Sequence, residues 1–208
     1  MNEQTTVVSA VPEDAERLAD VLGRAFQDDP VSTWLIPDDQ ERIERQRGFL
    51  KVFLDDAMAG GQVHTTPERN AVALWVNVHP DQPQDDEVDE LLGKALGPYY
   101  ERFLLLGDQM DATHPHDRSH DYLQFIAVDP PWQDQGIGTA LIRHRLAELD
   151  AMDMPAFLDA SNVRSVKLYE RLGFRQLPSD IRLSDGTVMV PMWREPNGER
   201  PTGVVGRA

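Results

Sequence analysis

The chain has 208 residues, 40% of them hydrophobic, and a formal net charge of −16 at neutral pH. This length suits one well-cored domain, and no apolar run approaches the roughly 18 residues that span a bilayer, so we expect no membrane partner. The absence of cysteine excludes disulfides, thiolate nucleophiles and thiolate-bound metals. The negative charge argues against a nucleic-acid partner, because binding DNA requires a cationic surface.

The first part of the sequence predicts two helices between short strands. Apolar residues recur at helical spacing after the proline-led acidic start at Pro12, and the segment 28–30 breaks this pattern. The first residues have neither the basic start nor the apolar stretch of a signal peptide, so we expect a cytoplasmic location. The predicted elements are a strand at 5–9, a helix from residue 12, a helical region at 38–58, and a hairpin of 63–65 with 71–78 around a turn at 67–70.

The segment 81–113 predicts a helical insertion. Six of the ten residues from Asp81 to Glu90 are acidic, and a helical pattern of leucines and Phe103 follows them. We interpret this segment as a charged loop that leads into an inserted helix, and we expect the acidic run to form a solvated surface without a chemical role.

The second part predicts a strand and helix alternation that completes one domain over 1–194. The predicted elements are strands at 122–128 and 156–159, helices at 136–150 and 162–172, and final strands at 174–177 and 187–193. The tail at 195–208 is rich in Pro, Gly and Arg, and we expect it to be disordered. The order of elements predicts an α/β protein of the α+β type.

The turn between the strand at 122–128 and the next helix is suited to bind an anion. Gly136 and Gly138 lack a Cβ, so backbone N–H groups can approach phosphate oxygens at the positive end of the helix. The alternative is that these glycines serve only tight packing. A dinucleotide-binding fingerprint is a poor fit, because Leu141 stands where it needs a third glycine, and the Gly-Lys-Ser/Thr triplet of a P-loop is absent.

Two motifs together resemble the GNAT superfamily of N-acetyltransferases. Gln133-x-x-Gly-x-Gly follows a strand that ends in Ala-Val-x-Pro, as in the acyl-CoA signature of that family. The helix from Asn162, closed by Leu-Tyr-Glu-Arg-Leu-Gly-Phe at 168–174, is similar to the family's second motif. The close resemblance covers about a quarter of the chain. The segment 25–30, the region of Trp75, and His114-Pro115 more loosely resemble puromycin N-acetyltransferase-like members.

The resemblance implies a fold and a co-substrate. It implies a mixed, mostly antiparallel sheet flanked by helices and splayed between the fourth and fifth strands. It also implies acetyl-CoA, with the pantetheine arm along the splayed strand, the Val128 N–H polarising the thioester carbonyl, and the pyrophosphate on the amides of 133–139. Family members often have Gly and then Lys or Arg where this chain has Asp134 and Gln135. The Asp134 carboxylate adds negative charge near the phosphate site, and the sequence leaves open whether CoA binding is weaker as a result. The implied cofactor-binding residues are Ile126, Ala127, Val128, Gln133, Asp134, Gln135, Gly136, Ile137, Gly138, Thr139, Asn162, Ser165 and Tyr169.

Tyr169 matches the family's tyrosine near the CoA sulfur, where a phenol can protonate the leaving thiolate. We therefore interpret it as the general acid, the alternative being a core residue of an amphipathic helix. Asn162 is also a good helix N-cap.

The acceptor side is less well defined by sequence. Asp28 and Asp29 follow the first helix, in a region that borders the acceptor cleft in the family, so either could bind a cationic amine or relay its proton; both could equally be surface turn residues. Asp159 is a third candidate base. Trp34 and Trp75 could line an acceptor pocket or lie in the core.

The histidines of segment 114–120 could ligate a metal, but acetyl transfer needs none, so we predict no metal site. The sequence thus predicts an N-acetyltransferase that moves acetyl from acetyl-CoA to the primary amine of a small molecule by direct attack in a ternary complex, acting as a monomer or homodimer. The alternatives are an inactive acyl-CoA-binding sensor and a protein N-acetyltransferase.

Overall fold

The structure, a computed structural model, describes residues 5–80 and 86–198. Residues 81–85 of the predicted acidic loop and residues 199–208 of the predicted disordered tail lie outside the described residues. Within them, no helix combines the length and the apolar character that crossing a membrane would require.

Seven α-helices are found in the described part of the chain. Most bury one face only, as their apolar spacing predicts. The helices are α1 (Ala15–Ala25), α2 (Pro30–Leu35), α3 (Asp39–Gly60), α4 (Asp86–Leu96), α5 (Tyr100–Asp111), α6 (Ile137–Ala151) and α7 (Val163–Arg171).

Eight strands of the described residues form one sheet in the order β1-β2-β3-β4-β5-β8-β6, with β7 paired to β8. All neighbours are antiparallel except β4 and β5, which run parallel. The mixed, mostly antiparallel sheet flanked by helices is confirmed. The strands are β1 (Val8–Ser9), β2 (Gln62–Thr65), β3 (Ala71–Val78), β4 (His120–Val128), β5 (Ala156–Ala160), β6 (Arg175–Gln176), β7 (Ile181–Arg182) and β8 (Val188–Arg194).

The sheet opens between β4 and β5, as the family resemblance implied. The two strands pair only through Asp121 with Ala156 and Tyr122 with Phe157, at the start of each strand. Beyond these pairs β4 continues to Val128 in register with β3 alone. The edge of β4 that faces β5 is therefore open along its carboxyl-terminal part.

A β-bulge lies in β4 at the beginning of this gap. Leu74 pairs with Phe125 and Trp75 pairs with Leu123, so Gln124 has no partner on β3. An extra residue bends a strand and changes which side chains share a face. Leu123 consequently packs in the same core as Ile126, although a regular strand would place them on opposite faces.

Two hydrophobic cores cover the two faces of the sheet. One core packs α1, α3 and the inserted helices α4 and α5 against alternate residues of β3 such as Val72 and Leu74. The other packs α6 and α7 against the intervening residues, including Ala73 and Trp75. The strict alternation follows from the two-residue period of a strand.

Two elements differ from the sequence-based expectation. The segment at Asp28 to Pro30 ends α1 as predicted, but it also begins the short helix α2, because the Asp29 carboxylate caps the N–H groups of Val31 and Ser32. The insertion contains two helices instead of one, because Gly97 adopts a left-handed φ of 56° and turns the chain between them.

Candidate active site

The gap between β4 and β5 leads into a cavity of about 690 Å³, within the size range of small-molecule sites. The C-terminal half of β4, the first turns of α7 and the end of β5 form one side of this cavity. Helices α1, α3 and α5 form the other side. The site therefore joins motifs from the second half of the chain to elements of the first half.

The amino terminus of α6 has the geometry of an anion site. Its N-cap, Gly136, has a left-handed φ of 81° and supplies no side-chain hydrogen bond. The first N–H groups of a helix lack acceptors within the helix, so those of α6 remain available to a ligand. Gly138 lies against β4, and a Cβ there would be 3.5 Å from Val128 Cγ2, an ordinary contact. Of these two glycines, Gly136 is therefore the one whose backbone conformation favours glycine.

The loop before α6 is held to the end of β4. Gln133 Nε2 donates to the Val128 carbonyl at 3.0 Å, and both residues line the cavity. Asp134 is exposed and takes a left-handed φ of 60°. Its carboxylate therefore lies in water beside the α6 terminus, where solvent screens its charge.

The start of α7 brings the second motif to the same cavity. Asn162 caps the helix by accepting from the Ser165 N–H at 3.0 Å, and the Ser165 hydroxyl also donates to it. Both side chains and Tyr169 line the cavity. The N-cap interpretation of Asn162 is thus correct and is compatible with a place on the cavity wall.

Tyr169 is buried at the cavity wall, with its ring 6.0 Å from that of Phe174. Burial, followed by the negative charge of Asp29, raises the pKa of Tyr169 to about 12. The phenol therefore keeps its proton at neutral pH and can act as a donor. Tyr169 thus packs in the core between the sheet and helices α6 and α7, and it also lines the cavity.

Asp159, at the end of β5, combines burial with an unused acceptor atom. Its Oδ2 accepts from the Tyr122 hydroxyl at 3.2 Å, while its Oδ1 has no hydrogen-bond partner among the described residues. Burial raises the pKa of Asp159 to about 7, although the Tyr122 hydrogen bond opposes this shift. A carboxyl group with this pKa can exchange a proton near neutral pH, as a general base requires.

The β4 bulge places a second unused acceptor on the cavity wall. The Oε1 atom of Gln124 is buried without a hydrogen-bond partner among the described residues, and Gln124 lines the cavity with Asp159. The two unpaired oxygens on one cavity wall can therefore accept hydrogen bonds from a bound ligand. The sequence analysis missed Gln124 and Tyr122, because a bulge and a cross-strand contact have no local signature.

The two aspartates of the segment 28–30 have different environments. Asp29 lines the cavity, and its Oδ2 accepts from the Ser161 hydroxyl at 2.6 Å while its Oδ1 caps α2. Burial raises the pKa of Asp29, although these hydrogen bonds lower it. Asp28 is exposed and does not line the cavity. The structure thus brings only Asp29 to the site.

Trp34 and Trp75 lie in the two cores and do not line the cavity. Trp34 donates from Nε1 to the Ser184 hydroxyl at 3.0 Å, and Arg102 stacks on its ring at 4.6 Å. Trp75 is fully buried on the α6 face because of its place in the alternation of β3. Both tryptophans are therefore core residues, and the prediction that they line an acceptor pocket is wrong.

The histidine segment forms the far end of the cavity. Nε2 of His114 lies 3.0 Å from Nε2 of His120, so one imidazole donates to the other. Both rings pack on Phe157. Burial lowers the pKa of His114 to about 4, with a further contribution from the neighbouring histidines, so this ring is neutral at pH 7.

Aromatic rings form the wall opposite the polar groups. Phe26 and Phe53 both pack on Phe125 of β4, with ring centroids 5.6 Å and 5.2 Å apart. Phe49 and Phe103 extend this wall through contacts with Phe53. The cavity therefore offers an apolar surface for the body of a ligand and the polar atoms of Asp159 and Gln124 for a donor group.

Comparisons with known proteins agree with this geometry. Residues 112–195 match the family model for the acetyltransferase (GNAT) domain. Mycothiol acetyltransferase of Kineococcus radiotolerans is 26% identical over 163 residues, which are 70% of this chain and 53% of that protein. The ribosomal protein bS18-alanine N-acetyltransferase of Escherichia coli is 43% identical over 54 residues, which are 24% of this chain and 36% of that protein. The chain thus spans about half or less of these relatives.

Solved structures extend the likeness to the whole fold. The Corynebacterium glutamicum structure described as histone acetyltransferase HPA2 and related acetyltransferase is 28% identical, with a TM-score of 0.66 over 96% of this chain and 99% of that one. Arylalkylamine N-acetyltransferase 2 of Aedes aegypti has the same fold at 13% identity, with a TM-score of 0.70 over 94% of this chain and 100% of that one. Together with the open β4 edge and the α6 terminus, these matches show that residues 112–195 are similar to a GNAT acetyltransferase domain and that the chain has the fold of these acetyltransferase structures.

Proposed function

We propose that this protein is an acetyl-CoA-dependent N-acetyltransferase. Its acceptor is a small primary amine that carries an apolar group about the size of an aromatic ring. The observation that carries the proposal is Asp159, a buried carboxyl group with a pKa of about 7 and a free Oδ1 on the cavity wall. The same cavity contains Tyr169 and the end of β4. The proposed base, the proposed acid and residues of both motifs therefore line one cavity.

The residues at the opening fit acetyl-CoA. The uncapped amino terminus of α6 suits a pyrophosphate, and the open edge of β4 can hydrogen-bond an extended pantetheine arm. Asn162 and Ser165 line the cavity beside this edge. Acetyl-CoA would supply the acetyl thioester. Asp134 is exposed, and we therefore expect it to reduce the affinity without preventing binding.

The side chains of the cavity can supply the proton transfers. Asp159 would remove a proton from the ammonium form of the acceptor and pass it to solvent, and the neutral amine would then form the new C–N bond as the C–S bond breaks. The Asp159 carboxylate would also accept the second proton, which the nitrogen loses on becoming an amide. Tyr169 would donate its proton to the departing sulfur. Gln124 Oε1 would accept a hydrogen bond from the amine and so hold the nitrogen near Asp159.

The walls favour a small acceptor. The carboxyl groups of Asp29 and Asp159 attract a cation, and the aromatic wall around Phe53 and Phe125 would bury an apolar body. A protein acceptor is the alternative suggested by the short match to the bS18-alanine enzyme. We favour the small molecule because the apolar wall and the unpaired acceptor atoms lie in one cavity.

The test is a CoA-release assay with purified protein, acetyl-CoA and matched acceptors. These acceptors are phenethylamine, its N,N-dimethyl derivative, putrescine and a peptide with N-terminal alanine. We expect turnover with phenethylamine at the lowest KM, weaker turnover with putrescine and none with the tertiary amine. Mass spectrometry of the product should show one acetyl group.

Other results would favour the competing functions. Stoichiometric acetyl-CoA binding in calorimetry without turnover on any amine would favour a sensor module. Turnover on the peptide alone would favour a protein acetyltransferase. Absence of acetyl-CoA binding would remove the enzyme proposal altogether.

A further inference from the structure

A cluster of potential metal ligands lies outside the cavity, between β2 and α6. It contains His64 of β2 with His144 and Glu148 of α6, and their ligand atoms all lie within 4.8 Å of one another. Among the described residues, these three side chains are the group close enough together to hold one metal ion. None of the three residues lines the cavity at the β4 gap. The acetyl-transfer chemistry therefore does not account for this cluster.

The folding of two separate elements builds the cluster. His144 and Glu148 are four residues apart, so they lie on one face of α6. His64 pairs with Ala73 of β3, whose side chain faces α6, and the two imidazole centroids of His64 and His144 are 4.9 Å apart. Sheet register and helix phase together place three ligands at one point.

His64 is poorly satisfied in this position. The residue is 1% exposed, and its Nδ1 has no hydrogen-bond partner among the described residues. Its Nε2 is 3.9 Å from Glu148 Oε2, which is beyond hydrogen-bond reach. A buried polar side chain without a partner costs stability unless another ligand satisfies it.

The surrounding charges orient the carboxylate. Arg145 donates from Nη1 to Glu148 Oε2 at 2.9 Å and from Nε to Asp121 Oδ2 at 2.8 Å. Glu148 Oε1 is directed to His144, 3.7 Å from its Nε2. The positive charge of Arg145 is therefore paired with two carboxylates, and one oxygen of Glu148 is left for a cation. Arg143, also nearby, is exposed to solvent.

We propose that His64, His144 and Glu148 bind a divalent first-row transition-metal ion of the zinc type, at a site separate from the transfer cavity. Two imidazoles and one carboxylate are a common donor set for such ions. Ligand atoms of a tetrahedral zinc ion lie about 3.3 Å apart, given bonds of about 2.0–2.1 Å. The half-exposed side chains of His144 and Glu148 can close the remaining distance by small rotations.

The site leaves room for a further ligand. A second cavity of about 540 Å³ begins beside His144 and is lined by Thr5, Thr6, Val7, Ala140 and Arg143. Water can therefore complete the coordination from this side. A bound ion would also join β2 to α6, so it should stabilise the fold by mass action.

The test uses the full chain freed of metal with EDTA and titrated with zinc chloride in a calorimeter. We expect one zinc per chain in the wild type and an affinity at least tenfold lower in His144→Gln and in Glu148→Gln. Zinc should raise the Tm of the wild type by several degrees and leave that of His144→Gln unchanged. Cobalt(II) should give visible absorption bands of a low-symmetry site in the wild type alone.

His116→Gln is the matched control, because it removes an exposed histidine from the other histidine cluster. It should keep the wild-type zinc affinity and Tm shift, with circular dichroism confirming that every variant is folded. Equal affinity of His144→Gln and wild type would overturn the proposal. Loss of binding in His116→Gln with retention in His144→Gln would also overturn it and place the ion at the 114–120 cluster.

Discussion

The two sides of the site differ in how the chain builds them. The proposed cofactor side comes from consecutive elements, β4, α6, β5 and α7, and the residues assigned to it lie within two short segments. The acceptor side combines α1, α3 and α5 with the bulge of β4, from segments that are far apart in sequence. Short-range patterns therefore describe the first side, while the second depends on long-range packing. The predictions below test whether this difference extends to function.

The largest effect is expected from Asp159→Asn, which removes the proposed base at the end of β5. Removing the carboxylate should lower kcat/KM by at least about 100-fold, because the amine then keeps its proton. In the wild type, kcat/KM should rise with pH to a plateau with a midpoint near the Asp159 pKa of about 7. The measurement is a pH series of initial rates for both proteins, and the variant should lack this midpoint.

The control for this variant is Asp28→Asn, which changes an exposed aspartate of the predicted acceptor region. Its rates should stay within about twofold of the wild type.

The pH dependence of stability gives an independent check on the pKa of Asp159. The folded pKa of Asp159 is raised from 3.8, so ionisation destabilises the fold as pH rises through 4 to 7. Asp159→Asn should escape that loss, and equal pH dependence of Tm in both proteins would contradict the assigned pKa.

The next effect is expected at the cofactor side, from Tyr169→Phe. Turnover should fall by about 100-fold with little change in acetyl-CoA affinity, because the ring remains and only the proton donor is lost. Stopped-flow or steady-state rates with calorimetric acetyl-CoA binding would measure both quantities. Tyr99→Phe, outside the cavity, is the matched control. Unchanged turnover in Tyr169→Phe would leave this residue with a packing role alone.

A smaller effect on stability separates a core residue from an acceptor residue. Trp34→Phe removes the hydrogen bond to Ser184 and weakens the stacking of Arg102, so we expect a loss of about 1–2 kcal/mol in the free energy of unfolding. The KM for the amine should not change. Urea denaturation and steady-state kinetics measure the two quantities, and a raised KM at unchanged stability would return Trp34 to the acceptor site.

The two glycines of the turn before α6 should differ in their effect on stability. Gly136→Ala should cost about 1–2 kcal/mol, because an L-residue resists the φ of 81° found there. Gly138→Ala should be neutral or stabilising, because helical φ and a 3.5 Å clearance accommodate the methyl group. Thermal denaturation of both variants measures the difference. Equal losses would mean that the turn tolerates no side chain at either position.

The sequence by itself predicted most of the element order, the glycine turn before α6 and the two motif segments. Gly136, Asn162 and Tyr169 lie in a turn or helix whose residue pattern is contained within about 15 neighbouring residues. Helix capping and the two periodicities of strands and helices act over that range. Such features are therefore present in the linear pattern, which is why the α6 and α7 segments were predicted nearly to their ends.

Only the tertiary structure decided which of several plausible residues reach the site. Asp28 and Asp29 are equivalent in sequence, but α2 capping and Ser161, 132 residues away, place Asp29 alone at the cavity. Trp75 lies in the core because strand register turns it towards α6, and the bulge exposes Gln124 to the cavity. Register and packing depend on distant partners, and no local pattern specifies them.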